Sequence, residues 1–195
     1  MVRMKLVEFY RDAILMAAEK LFEQKGYEGT SVDEIASKTG ISKTTLYSYF
    51  DSKELIWDTL VCRYMEKILS DARKAADGEA PFEIRYYTLC FDIAARFEEH
   101  PVIYRGTLGK VPVDLGFETG EAINEAIADF IRSGIREGYV RKDIDIYPLV
   151  MMMWSSISGI ILMAKDKEEY LKMRFDISRH DYLMKAFCML LEGVK

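Results

Sequence analysis

Residues 39–53 read TGISKTTLYSYFDSK. The whole chain carries 27 basic side chains against 32 acidic ones. This stretch instead sets a lysine, several hydroxyls and two tyrosines side by side, with few apolar residues among them. On a helix, at about 100° per residue, Leu46 and Phe50 fall on one face a turn apart. Thr44, Tyr47 and Ser48 then point away, Thr45 and Tyr49 flank them, and Lys43 stands at the N-terminal tip. Ser42 is a ready N-cap, with Ile41 and Leu46 at the spacing of a hydrophobic staple. Upstream, Ser31-x-x-Glu34 is a capping box for another short helix, which Gly40 closes. Two short helices meeting at a tight turn give the plan of a helix-turn-helix, whose second helix enters a major groove N-terminus first. Lysine, hydroxyl and phenol groups suit that task because they donate to phosphates or base edges. The same pattern also fits an ordinary solvated face.

Outward from this stretch the chain predicts helices throughout. Of 195 residues half are hydrophobic, and only four prolines and twelve glycines interrupt them, a composition suited to an all-α fold with a sizeable core. A first helix spans about Leu6 to Lys25 and stops at Gly26. Asp51-x-x-Glu54 repeats the capping signature and launches a fourth helix. A fifth runs from about Phe82 to Glu99, and Gly106 to Gly120 reads as irregular. Further helices cover Glu121 to Glu137 and Tyr147 to Lys165. A charged connector, Lys165 to Lys172, leads to a last helix capped by Ser178. The total is about nine helices: a helix-turn-helix domain over residues 1–52, a connecting helix over 53–76 and a larger helical domain over 77–195.

The run ILMAAEKLFEQKGYEGTSVDEIASKTGISKTTLYSYFDSKELIWDTL, Ile14 to Leu60, resembles the DNA-binding domain of the tetracycline-repressor (TetR-like) family. The matching pieces are A-x-x-L-F-x-x-x-G-Y, T-S-V-x-x-I-A-x-x-x-G-I-S and K-x-T-L-Y-x-Y-F-x-S-K-E-x-L. The resemblance implies a transcriptional regulator that binds a palindromic double-stranded operator as a homodimer. A small-molecule effector then releases it, so that it acts as a repressor. It places Lys43, Thr44, Thr45 and Tyr47 on bases or phosphates, Tyr49 and Lys53 on backbone phosphates, and Ser31 and Val32 where the second helix meets the backbone. Val32 has no side-chain donor and can offer only its N–H. Asp33 departs from the pattern, since an acid repels phosphate unless it serves the helix N-terminus. Arg3 and Lys5 are either an arm reaching a groove or a plain tail. The first 53 residues carry eight bases and eight acids, so each subunit neutralises few phosphates and two must act together.

The remaining body is rich in aromatics. Tyr86, Tyr87, Phe91 and Phe97, with Tyr104, Phe130 and Trp154, suit an effector pocket for a hydrophobic or aromatic ligand, and equally a plain core. From Ile146 to Ala164 there is no charge. That length fits a bilayer, but Pro148, three serines and Gly159 favour a helix buried in protein, with no membrane partner. Ser155, Ser158, Gly159 and Leu162 there, with Leu183, Phe187 and Leu190 of the last helix, are the candidate dimer interface; intramolecular core is the competing assignment. A variant of the same fold controlled by a protein partner would have no small-molecule pocket. His100 and His180 sit in no metal-type or catalytic spacing, no phosphate loop is present, and neither catalysis nor a cofactor or metal is expected. Cys62, Cys90 and Cys188 read as buried free thiols. Glu8 and Asp12 break the apolar run near the start. The expected location is the cytoplasm.

Overall fold

The computed structural model describes residues 2–109 and 113–195, and the side chains of Arg3 and Lys5 lie outside the described residues. The described residues form ten helices and no strand: α1 (Val2–Lys25), α2 (Val32–Thr39), α3 (Lys43–Tyr47), α4 (Lys53–Asp77), α5 (Phe82–Glu99), α6 (Pro101–Thr107), α7 (Val113–Arg136), α8 (Ile146–Asp166), α9 (Glu168–Phe175) and α10 (Arg179–Glu192). The all-α expectation holds. The charged connector is largely a helix, α9, with Glu168 and Glu169 in its first turn and Lys172 and Arg174 in its last, the order that complements the helix dipole. Gly106 to Gly120 is mostly helical as well, taken up by α6 and the start of α7.

The chain divides into two compact units: Met1–Lys67 with Glu98–Thr119, and Ile68–Phe97 with Gly120–Lys195. These units do not follow the sequence order of the expected domains, because α6 groups with the helix-turn-helix.

In the first unit, Ile14, Ala18, Phe22, Ile35, Leu46 and Phe50 are among the fully or almost fully buried side chains. Helix α6 starts with Pro101, whose missing N–H costs nothing at that position. The carboxylate of Glu23 on α1 accepts hydrogen bonds from the next two backbone N–H groups, Val102 and Ile103, both at 3.0 Å. Gly106 serves close approach rather than a loop: a Cβ there would fall 2.7 Å from Trp57 Cζ2 and 2.8 Å from a Val61 methyl.

In the second unit the organising residue is Arg85, 6% exposed. Its guanidinium donates to the carbonyl of Ala75 at the end of α4, to Ala80 O at 2.7 Å and to Ser133 Oγ at 3.1 Å, and it pairs with Glu137. Glu137 also accepts the N–H of Phe82 at 2.9 Å. A buried charge is tolerable only when so satisfied, and here it ties α4, α5 and α7 together. Beside it, Phe82 stacks on Phe130 at 4.5 Å.

Helix α8 packs on α10. It is 21 residues long and apolar enough to cross a membrane by length and composition. Within the chain only one face is covered: Leu149, Val150, Ile157 and Ile161 are buried, whereas Met151, Met152 and Met163 are exposed. Cys90 is buried as expected, but Cys188 lies exposed on α10.

Gly134 on α7 serves close approach in this unit, where a Cβ would fall 2.6 Å from the Phe82 ring and 2.8 Å from a Val140 methyl. Gly134→Ala is expected to lower stability by about 1–3 kcal/mol through overpacking, read as a lower urea midpoint at unchanged slope.

Candidate nucleic-acid interface

The supports of the helix-turn-helix form as their residue types dictate. Ser31 Oγ accepts the N–H of Glu34 at 3.2 Å, and the Glu34 carboxylate accepts the Ser31 N–H at 2.9 Å, a complete capping box. Lys25 also pairs with Glu34. That contact, with the Ser31 hydrogen bonds behind it, holds the Glu34 carboxyl at about 2, well below its ordinary range. Gly40 turns the chain at φ 72°, a conformation glycine adopts without a Cβ penalty. Ser42 Oγ then accepts the Thr45 N–H at 3.0 Å and starts α3. For α4 the cap is Ser52, whose Oγ accepts the Leu55 N–H at 3.0 Å, and not Asp51.

Helix α3 shows the expected faces. Leu46 and Phe50 are 0% exposed, and Tyr47 is 42% exposed. Lys43, Thr44 and Ser48 are also exposed, whereas Thr45 and Tyr49 are half-buried. Lys43 Nζ pairs with Asp33 at 2.9 Å, and this hydrogen bond raises the lysine pKa above its ordinary value. Asp33 therefore neutralises Lys43 across the turn. Exposed pairs of this kind contribute little, so a phosphate can take the place of the aspartate. Ser31 is spent on the cap. Val32, half-buried, begins α2 with an N–H that no carbonyl of the helix can take.

Lys53 makes contacts within the chain. Its ammonium donates to the carbonyls of Tyr27 at 2.8 Å and Thr30 at 3.0 Å, and it lies 4.1 Å from the centroid of the Tyr27 ring. An ammonium has three donors, and two of them are engaged by these carbonyls. Lys53 ties the loop after α1 to the head of α4. Two residues of α1 were not anticipated. Arg11 Nη1 donates to the Tyr49 carbonyl at 2.5 Å with its guanidinium 4.2 Å from the centroid of Phe50, and Tyr10 stacks on Tyr49 at 5.5 Å. The available signal was their place at the head of the stripe that continues through Ile14 and Ala18.

Residues 14–57 match the family model for bacterial regulatory proteins of the tetR family. That stretch is a TetR-type DNA-binding region. It is 26% identical over 130 residues to the uncharacterised regulator YhgD of Bacillus subtilis, an alignment spanning 64% of this chain and 66% of that protein. Against the transcriptional regulator RutR of Escherichia coli it is 27% identical over 161 residues, covering 79% of this chain and 74% of RutR. The solved structure of the ketosteroid transcriptional regulator KstR2 of Mycobacterium tuberculosis superposes with a TM-score of 0.66 at 22% identity, over 95% of each chain. The family-model match over residues 14–57 and these relatives support a helix-turn-helix, DNA-binding transcriptional regulator.

The seven expected effector residues differ in their surroundings. Tyr86 is fully buried and its hydroxyl donates to Phe187 O at 2.9 Å; burial pushes its pKa up. Phe97 and Phe130 are buried core. Tyr87, Phe91 and Trp154 are half-buried, with Phe91 stacked against His180 and edge-on to Phe187. Tyr104 belongs to the first unit, edge-on to Tyr64. An open hollow of about 960 Å³ is lined instead by charged residues such as Lys165, Lys167, Glu168 and Arg179, and one of about 290 Å³ by Arg73, Asp77, Glu125 and Asp129. Arg96 pairs with the buried Asp71, and partial desolvation and Asp71 raise the carboxyl of Asp92; Arg96 and Arg85 are ties within the body. Of the interface set, Ser158, Leu183 and Phe187 are buried within the chain. Leu162 and Leu190 are half-buried, and Ser155 and Gly159 are exposed. Nothing lies within 4 Å of a Cβ built on Gly159.

Lys53→Met is expected to cost about 1–3 kcal/mol in chemical unfolding, for two lost charge-assisted hydrogen bonds. The salt dependence of DNA binding should stay unchanged; a shallower slope would assign it a phosphate role.

Proposed function

We propose that this protein is a cytoplasmic, homodimeric repressor that reads a palindromic operator with α3 and leaves it when a small hydrophobic or aromatic ligand binds within residues 77–195. The observation that carries the DNA reading is the exposed set Lys43, Thr44 and Tyr47 standing over the buried Leu46 and Phe50. Tyr47 and Thr44 meet base edges, Lys43 exchanges Asp33 for a phosphate, and Tyr49 and the Val32 N–H meet the backbone. Thr45 lends its hydroxyl to the Ser42 cap at 2.8 Å and flanks the contact.

Dimerisation is supported by the uncovered apolar side of α8 and α10, where Met151, Met163 and Met189 are exposed and Gly159 leaves room for a second helix. Ser155, Gly159, Leu162 and Leu190 belong to that face, and Leu183 and Phe187 support it from beneath. A dimer sets two α3 helices against successive major grooves, roughly 34–36 Å apart. A ligand shifts that spacing only through differential affinity for the two states. The aromatic body supports an apolar ligand, a class in keeping with a relative named for ketosteroids. A second reading, control by a protein partner, draws on the charged lining of the two hollows described above.

Two single variants separate the roles. Tyr47→Ala should cut operator affinity tenfold or more, about the discrimination of one good base contact, and leave the dimer intact by analytical ultracentrifugation. Gly159→Glu should yield a folded monomer that has lost the operator. Unchanged affinity in the first, or an intact dimer in the second, contradicts the assignment concerned.

A further inference from the structure

We infer that Arg11, assisted by Tyr10, is a positioning residue that sets the pose of the reading helix without itself touching DNA. The inference rests on α3 being that helix. Five residues, Lys43–Tyr47, are too few to hold a helical pose alone, and the last carbonyls of any helix need outside donors. Two of those of α3 are satisfied by the turn that follows. Thr45 O accepts from the Ser48 N–H at 3.1 Å and from Ser48 Oγ at 2.6 Å, and Leu46 O accepts from the N–H groups of Tyr49 and Phe50 at 2.9 and 3.1 Å. The turn then presents Tyr49 O, and the donor comes from 38 residues away: Arg11 Nη1 at 2.5 Å.

The contact does three things at once. A charged donor gives the stronger class of hydrogen bond. Its positive charge lies at the C-terminal end of the short helix, where the dipole favours it. Its planar group covers the ring of Phe50, 4.2 Å from the centroid, the same residue whose burial seats the turn after α3. Tyr10 adds a second hold by stacking on the Tyr49 ring at 5.5 Å with 30° between planes. The exit of α3 is therefore fastened to α1 through both the backbone and the side chain of Tyr49. Loosening it lets Thr44 and Tyr47 drift from base edges, while the phosphate contacts that sustain non-specific binding persist.

The test uses the full-length protein and two duplexes of equal length: one selected from genomic fragments by the unaltered protein, and one of random sequence. Arg11→Met should lower affinity for the selected duplex by about tenfold to a hundredfold, the loss of one charge-assisted hydrogen bond. The random duplex and the salt slope should be unaffected, and Arg11→Lys, which keeps a donor, should recover part of the loss. Tyr10→Leu should act in the same direction more weakly. If Arg11→Met does not fold, as judged by circular dichroism, the lysine and Tyr10 variants decide. A salt slope shallower by about 0.9 per subunit overturns the inference, because Arg11 is then a phosphate contact. Unchanged selected-duplex affinity in the Arg11 and Tyr10 variants, beside a loss in Tyr47→Ala, also overturns it and leaves the reading helix standing. Unchanged affinity in Tyr47→Ala as well refutes the reading helix itself.

Discussion

A helix of five residues has no stability of its own, so everything this chain offers to a duplex depends on Leu46 and Phe50 being buried beneath α3. Their burial turns Lys43, Thr44 and Tyr47 outward. The devices around them fix the remaining freedom: the Ser42 cap at the start, Gly40 in the left-handed region at the turn, and Arg11 on the Tyr49 carbonyl at the exit. The hydrophobic seat supplies the energy, and the polar fastenings set the angle.

Electrostatics push in a different direction from most DNA-binding surfaces. The first 53 residues balance eight bases with eight acids, and several of the bases are already engaged: Lys25 with Glu34, Lys43 with Asp33, Lys53 with two carbonyls and Arg11 with Tyr49 O. A surface so self-neutralised gains little from counterion release. On the function proposed above, affinity comes from two copies and from well-placed base contacts, which links the pose of α3 to the exposed face of α8 and α10.

How far the sequence revealed this depended on whether a feature was local. Ser31-x-x-Glu34, Gly40 and Ser42 were legible because cap and turn chemistry acts over three or four residues. The cap of α4 was misplaced by one residue because Asp51 and Ser52 are both capable N-caps, and only the geometry selects Ser52. Helix α9 was missed because its apolar residues form no buried stripe: Leu171 is buried, whereas Tyr170, Met173 and Phe175 are exposed. Lys53, Arg11 and Arg85 were illegible as ties because their acceptors are largely backbone carbonyls, for Lys53 and Arg11 23 to 38 residues away, and every residue carries a carbonyl. The aromatic body was read as pocket or core, and Tyr86, Phe97 and Phe130 are core. The apolar run of α8 was legible as a helix, but the asymmetry between its covered and open faces appears only once α10 is packed beside it.

The central claim, that two copies of this chain present α3 to a specific duplex, is tested most directly by incubating the purified protein with sheared genomic DNA at moderate salt and sequencing the fragments it retains. The account predicts enrichment of one inverted repeat whose half-sites are centred about one helical turn apart or a multiple of it. Retention without any shared sequence, from a folded dimer, would contradict it.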